Sequence, residues 1–220
     1  MANHASSQIR CPVSIRGVVL NLLLVLSAIY ECAHGSPHGR RTSTFNETST
    51  FRIVAQNPCD ENRSLKFKAA NNSLYVGSAT QSACCNQLDA EDSASFFIKN
   101  EELLLYSPGN PRQRVYVEDF AAPTKGLGYV RYHISNSPLP NESKTKGWMV
   151  GDDGSLSFGD NNLFLCKNNG SVWDVVVGTG DNLQGTDGKC WPFTAEASIA
   201  DHPVSCLYTG TGQTVSFFCL

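Results

Sequence analysis

Short apolar runs separated by turn-forming residues dominate the chain from residue 51 onward. Runs of about four to eight residues that alternate polar with apolar, or are apolar throughout, are typical of β-strands, and clusters of Gly, Asn, Asp and Pro mark the turns between them. No window carries a convincing helical stripe, and residues 194–200 offer one or two helical turns at most. The sequence therefore predicts an all-β fold of about twelve short strands, at 51–55, 65–68, 73–77, 95–99, 102–106, 114–117, 128–134, 148–150, 155–158, 163–166, 172–177 and 204–207.

Turn chemistry and a weak repeat bear on how these strands are arranged. The segments 99–101, 152–154 and 159–162 carry the Asn, Asp and Gly residues that tight hairpins require. The strands at 96–106 are echoed at 148–158, an offset of about 51 residues, which favours a loosely threefold array. We therefore expect a single compact domain in which a trefoil-like barrel is favoured over a β-sandwich.

The N-terminal segment is typical of export. Arg10 and Arg16 precede an apolar run at 18–30, which is too short for a membrane-spanning helix. We expect a signal peptide at 1–35 that is removed, then a flexible leader at 36–50 that is too polar to bury a core. The protein is thus predicted to be secreted to the outside of the cell.

The charge balance excludes some partners. Of 17 basic and 20 acidic residues, the segment 1–35 removes two and one, which changes the net charge from −3 to −4. Such a chain lacks the basic face that binding to nucleic acid requires. The body at 51–208 and the tail at 209–220 contain no run long enough to enter a membrane. We expect no nucleic-acid partner, and no membrane association after cleavage.

Cysteine usage also points to an oxidising compartment. Without the signal segment seven cysteines remain, namely Cys59, Cys84, Cys85, Cys166, Cys190, Cys206 and Cys219. Their spacing provides no paired metal ligands, so we expect disulfides, with neither a metal nor a cofactor. Because seven is odd, one cysteine is left over, and the adjacent Cys84 and Cys85 are expected to have different partners. The pairing stays open.

Five Asn-x-Ser/Thr sequences predict N-glycosylation on exposed turns. Their acceptor residues are Asn46, Asn62, Asn71, Asn141 and Asn169.

Candidate catalytic groups are few. After the leader only His133 and His202 remain as histidines, and no nucleophile elbow, zinc-binding or phosphate-binding motif is present. The acidic pairs at 101–102, 118–119 and 152–153 are adjacent, so on strands their carboxylates face opposite sides of a sheet. A glycosidase needs both carboxylates on one sugar bond. We therefore predict no catalytic residues and no enzyme.

Three tryptophans are the candidates for stacking on sugar rings. Trp148 and Trp173 lie in apolar runs, where core packing is the expected role, whereas Trp191 lies between a cysteine and a proline and is expected to be more exposed.

The ordered motifs of this chain resemble the PhiA family of secreted cell-wall proteins of filamentous ascomycetes, which is associated with phialide and conidium development. The resemblance covers 51–208 and rests on 51–55, 94–98, 103–106, 113–117, Gly147-Trp148, Gly154, Leu156, Phe158, 164–166, 173–177 and the closing Val204, Ser205, Cys206 and Tyr208. The family's Gly-rich segment survives only at 125–129, and Cys59 and the tail with Cys219 look like additions. A bridge between these two added cysteines is therefore a hypothesis.

The resemblance implies a non-enzymatic protein of the fungal cell wall with a structural or developmental role in conidiation, in contact with wall polysaccharide or wall proteins. The alternative that the tryptophans keep open is a secreted carbohydrate-binding module or a host-directed effector.

Overall fold

The structure is a computed structural model of the chain. It describes residues 45–46, 49–57, 60–87, 92–107, 109, 112–118, 127–134, 138–178 and 190–211, apart from the side chains of 57, 60–63, 134 and 169. These residues belong to one compact unit, Thr42–Leu220. The expected signal peptide at 1–35 and most of the leader lie outside the described residues and stay predictions.

The prediction of an all-β protein is confirmed. The described residues contain sixteen strands, β1 Phe51–Asn57, β2 Asp60–Lys66, β3 Lys68–Ala70, β4 Ser73–Gly77, β5 Ala83–Cys85, β6 Ser95–Lys99, β7 Glu102–Leu105, β8 Gln113–Glu118, β9 Leu127–Ile134, β10 Trp148–Val150, β11 Ser155–Phe158, β12 Asn162–Asn169, β13 Val172–Gly178, β14 Cys190–Pro192, β15 Thr194–Ile199 and β16 Cys206–Tyr208. Among these residues there is no helix of the length and apolarity that a membrane span requires. The count exceeds the predicted twelve chiefly because three-residue strands such as β3, β5 and β14 are too short to carry a sequence pattern.

The nearest candidate for helical turns, 194–200, is mostly strand β15, which was missing from the predicted strands. Its alanines favour a helix locally, but Ala195 and Ala197 are buried in alternation with more exposed neighbours. β15 also pairs along its whole length with β1, from Gln56↔Thr194 to Phe51↔Ile199. Tertiary pairing of this kind overrides local propensity.

The strands form a fourteen-stranded sheet and a separate two-stranded sheet. The hydrogen-bonded order in the large sheet is β10-β11-β15-β1-β6-β7-β8-β9-β4-β13-β12-β14, with β2 added to β1 and β3 added to β4, while β5 and β16 form the small sheet. Pairing is antiparallel throughout the described strands. Within them the order does not close into a barrel, so the trefoil-like barrel stays a prediction.

Alternating side chains of the large sheet form one continuous core. In β1 the buried residues are Phe51, Ile53 and Ala55, and the residues between them are partly exposed, as expected for a strand with one face on a core. The ring of Phe96 on β6 lies 6.4 Å from that of Phe51 and 6.5 Å from that of Phe67. Each such aromatic contact adds about 0.5–1.5 kcal/mol beyond the area buried, so this cluster holds β1, β6 and the β2–β3 junction together.

Two hairpins use two-residue turns with positive φ. Asn71 and Asn72, with φ of 51° and 64°, join β3 to β4, and Asn100 and Glu101, with φ of 52° and 63°, join β6 to β7. Turns of this hand match the twist of the flanking strands. The hairpin predicted at 99–101 is therefore confirmed. The turn at 159–162 also forms, but it links β11 to β12 without pairing them into a hairpin.

Gly77 marks a close approach of two backbone segments. Its φ is 120°, and a Cβ atom at this position would lie 2.1 Å from the carbonyl oxygen of Ser171 in the β12–β13 turn. Real side chains do not reach such a separation, so β4 can pair with β13 at Val172 only because residue 77 is glycine.

A buried glutamine connects the small sheet to the large one. The Gln113 amide nitrogen on β8 donates to the Tyr208 carbonyl oxygen at 2.6 Å, and the Tyr208 backbone N–H donates to the Gln113 amide oxygen at 2.8 Å. The side chain thus satisfies both backbone groups of Tyr208 in the way a neighbouring strand would. The Cys206 backbone N–H donates to the Tyr106 carbonyl oxygen at 3.0 Å. These three bonds hold the edge of β16 that faces away from its partner strand β5.

Candidate functional site

An exposed aromatic group stands at one end of the large sheet, on strand β14. Trp191 is 42% exposed, and within the described residues β14 pairs with β12 alone. The ring centroids of Trp191 and Trp173 on β13 are 4.8 Å apart, and the rings are inclined by 66°. This edge-to-face geometry is one that aromatic pairs prefer. We call Trp191, Trp173 and Lys167 the tryptophan edge.

Strand register places the three side chains on the same face. Leu165 on β12 pairs with Trp191, and two residues further along the same strand Lys167 pairs with Trp173. Positions two apart on a strand share a face. The Lys167 ammonium nitrogen lies 5.9 Å from the centroid of the Trp173 ring, a cation–π arrangement that adds about 0.5–1 kcal/mol at an exposed position.

A disulfide holds the tryptophan edge in place. Cys190, the residue before Trp191, is bonded to Cys166 on β12, its partner in the strand register. The residue after Trp191, Pro192, has no backbone N–H, so a three-residue strand ending there has few hydrogen bonds of its own. The bridge spans 24 residues of sequence and contributes about 3.5 kcal/mol in the chain-entropy model. Trp191 is therefore exposed and also fixed.

The third predicted stacking residue lies elsewhere. Trp148 on β10 is 2% exposed, and its ring centroid is 4.8 Å from that of Phe158 on β11. Its faces are covered by the core. The structure therefore brings together two of the three candidates, Trp173 and Trp191.

Two disulfides are formed between described cysteines, Cys85–Cys206 and Cys166–Cys190. The first joins β5 to β16 across 121 residues of sequence and contributes about 5 kcal/mol in the chain-entropy model. Cys84 is also disulfide-bonded, so the expectation that it and its neighbour have different partners agrees with this arrangement.

The partner of Cys84 follows in part by elimination. The other four described cysteines bond to one another, and Cys59 and Cys219 lie outside the described residues. In a chain cleaved after residue 35 these two are the only remaining cysteines. Within one cleaved molecule, the partner left for Cys84 is therefore Cys59 or Cys219. A bridge between Cys59 and Cys219 cannot form in the same molecule as that bond.

Three of the five predicted glycosylation acceptors have described side chains. Asn46, Asn71 and Asn141 are exposed, which is where a glycan has room. The side chains of Asn62 on β2 and Asn169 on β12 lie outside the described residues. Glycosylation itself stays a prediction at all five.

The candidate acid–base groups either pack against other side chains or lie exposed on the surface. His133 on β9 is buried, and its ring packs edge-on against Tyr116 at 5.5 Å. Glu102 lies 3.5 Å from Arg114 and accepts a hydrogen bond of 3.0 Å from Thr145. His202 is exposed.

The pair at 152–153 forms the exposed turn before β11, and Asp119 lies outside the described residues. Across the described part of the chain no three His, Cys, Asp or Glu side chains are grouped so that they could hold a metal ion.

Sequence reasoning missed Lys167 as a member of the tryptophan edge. Its position opposite Trp173 depends on the register of the β12–β13 hairpin, which shifts between Lys167 and Asn169. An irregularity of this kind leaves no signal in a pattern of apolar and polar residues.

Together these features define a class of protein, namely compact antiparallel β-proteins that are stapled by disulfides, as is typical of chains that mature in an oxidising compartment. The sequence profile of the PhiA-like secreted protein family matches residues 51–209, and the chain belongs to this family. The predicted resemblance and the predicted secretion are thereby confirmed.

Curated relatives are named as cell wall proteins. The chain is 28% identical over 160 residues to cell wall protein phiA of Aspergillus fumigatus, which covers 72% of this chain and 84% of the relative. It is 28% identical to cell wall protein phiA of Aspergillus niger, with 65% and 76% covered, and to that of Emericella nidulans, with 76% and 91% covered. No solved structure matches the chain.

Proposed function

We infer that this chain is a cell-wall protein of a filamentous fungus that acts by contact with other wall components and has a structural role during conidium development. The observation that carries this inference is the family match over 51–209, together with relatives named as cell wall proteins that are covered over most of their length.

The fold supports a role outside the cell. Two disulfides join strands that are distant in sequence, and such bonds add stability where neither chaperones nor resynthesis can replace an unfolded molecule. A protein that acts by contact needs a durable surface and no reactive centre.

The described acid–base groups also fit a role without turnover. A general base must be within hydrogen-bonding reach of a substrate proton, whereas His133 lies in the sheet against Tyr116 and Glu102 is held by Arg114 and Thr145. These groups hold strands together.

Localisation and phenotype test this function. In the source fungus, an epitope-tagged chain should fractionate with purified walls of conidium-bearing cells, and deletion of the gene should reduce the number of conidia or the mechanical strength of their walls. Recombinant protein incubated with glucan and chitin should release no soluble sugar. A tagged protein that stays inside the cell, or turnover that tracks the purified protein, would refute the proposal.

A further inference from the structure

The size of the exposed aromatic surface restricts what can bind there. Four large apolar side chains are exposed in the described part of the chain, and Trp191 is the one on β12, β13 or β14; Tyr129 is on β9, Met149 on β10 and Ile199 on β15. A stable protein–protein interface needs about 800 Å² on each partner. A single indole beside the exposed, charged Lys167 is too small an apolar area for that, and it fits a ligand with a small apolar face and many polar groups.

A pyranose ring has this composition. Its axial C–H groups form an apolar face that covers an indole, and its hydroxyl oxygens accept hydrogen bonds from donors beside the ring. Lys167 supplies three such donors. Its ammonium group lies 5.9 Å from the Trp173 centroid, which in turn lies 4.8 Å from that of Trp191, so the tryptophan edge spans one or two sugar rings.

The rigidity of the edge separates it from an incidental exposed residue. The bridge at Cys190 restrains the backbone next to Trp191, and contact with the Trp173 ring restrains the indole itself. A side chain held in one orientation loses little entropy when a ligand stacks on it, and this raises affinity without any new contact.

We propose that the tryptophan edge is a binding site for wall polysaccharide, on which one pyranose ring stacks against Trp191 while Lys167 donates to its hydroxyls. The proposal rests on the proposed function, because a protein in the wall meets polysaccharide at high local concentration.

Sedimentation with insoluble chitin and β-glucan, using the chain purified from a secreting fungal host, tests the site. W191A should weaken binding about tenfold, which equals about 1.4 kcal/mol, W191F should retain most of it, and K167Q should lose a smaller factor. M149A is the matched control, because Met149 is at least as exposed as Trp191 but lies on β10, and it should bind like the wild type. Equal binding by W191A and the wild type, or no binding by the wild type, would overturn the proposal.

A second measurement identifies the occupant and separates this proposal from the proposed function. Soluble oligosaccharide should shift the tryptophan fluorescence of the wild type, and at the same occupancy it should shift that of W191F much less, because only Trp173 then reports from the edge. Asn169 is a predicted glycan acceptor four residues before Trp173, so N169Q is measured in parallel, and a shift that appears only in N169Q would assign the edge to the chain's own glycan and refute binding of wall polysaccharide. If W191A binds polysaccharide as the wild type does while the wild type is found in walls, the site fails and the function stands. If the wild type binds glycan through Trp191 but is absent from walls, the function fails.

Discussion

The junction between the two sheets should depend on Gln113, and replacing it by leucine isolates that contribution. Gln113 is 1% exposed, and its amide makes two hydrogen bonds with the backbone of Tyr208, of 2.6 and 2.8 Å. Leucine has a similar volume, so Q113L removes the two bonds without leaving a large cavity. The backbone N–H and C=O of Tyr208 would then be buried without partners.

The expected loss follows from those two groups. An unsatisfied buried backbone group costs about 1–3 kcal/mol, so two groups cost about 2–6 kcal/mol. Partial relaxation of β16 and entry of water reduce this to about 3 kcal/mol, which corresponds to a fall in Tm of roughly 6–12 °C for a domain of this size. Because the Cys85–Cys206 bridge keeps β16 attached to β5, the variant should still fold.

Urea unfolding of the oxidised protein, followed by intrinsic fluorescence and far-ultraviolet circular dichroism, measures the loss. The matched control is Q87L, since Gln87 is exposed and its replacement should change the free energy of unfolding by less than about 0.5 kcal/mol. If Q113L unfolds within about 0.5 kcal/mol of the wild type, the inference that this side chain replaces a strand is wrong.

Three further experiments have defined outcomes. G77A should destabilise the fold by about 2–4 kcal/mol in thermal unfolding, because a Cβ atom would lie 2.1 Å from a backbone carbonyl oxygen, and a loss below about 0.5 kcal/mol would contradict that close approach. Partial burial raises the pKa of Asp92, but the hydrogen bond from Lys68, a backbone N–H and nearby lysine charges outweigh it and keep the pKa below the ordinary 3.8. The ion pair should thus stabilise the fold above pH 3.8 and cease to do so as the pH falls through the lowered pKa. D92N should lower the free energy of unfolding by about 1 kcal/mol at pH 7, a small loss because the carboxylate is half exposed, and should have no effect at the acid limit. A difference between D92N and the wild type that stays constant with pH would disprove the linkage. Non-reducing peptide mapping of the secreted chain should find Cys84 bonded to one of the two cysteines outside the described residues, and a free Cys84 thiol would contradict the bond.

The strands that sequence predicts best are those whose core face carries large apolar side chains. β1 is an example. Its buried residues Phe51, Ile53 and Ala55 are apolar and occupy every second position, so the period of a strand is visible in the sequence. The three-residue strands β3, β5 and β14 have no such period, whereas β10, which is equally short, was predicted at 148–150. The sequence predicts no strand at β15 because its buried residues are alanines, whose small side chains suit either a helix or a strand until a partner strand is known.

The candidate site could likewise be predicted only in part. Exposure of Trp191 could be expected from its neighbours, because a disulfide cysteine and a proline restrict its strand to an edge. The contact between Trp191 and Trp173 could not, because it requires β12 to lie between β14 and β13, with Leu165 opposite one ring and Lys167 opposite the other. That register is set by the hairpin and its bulge, and a slip of one residue would turn the side chains of β12 to the opposite face. Local sequence thus determines which side chains are exposed, whereas strand order decides whether two of them meet and whether a charged neighbour stands beside them.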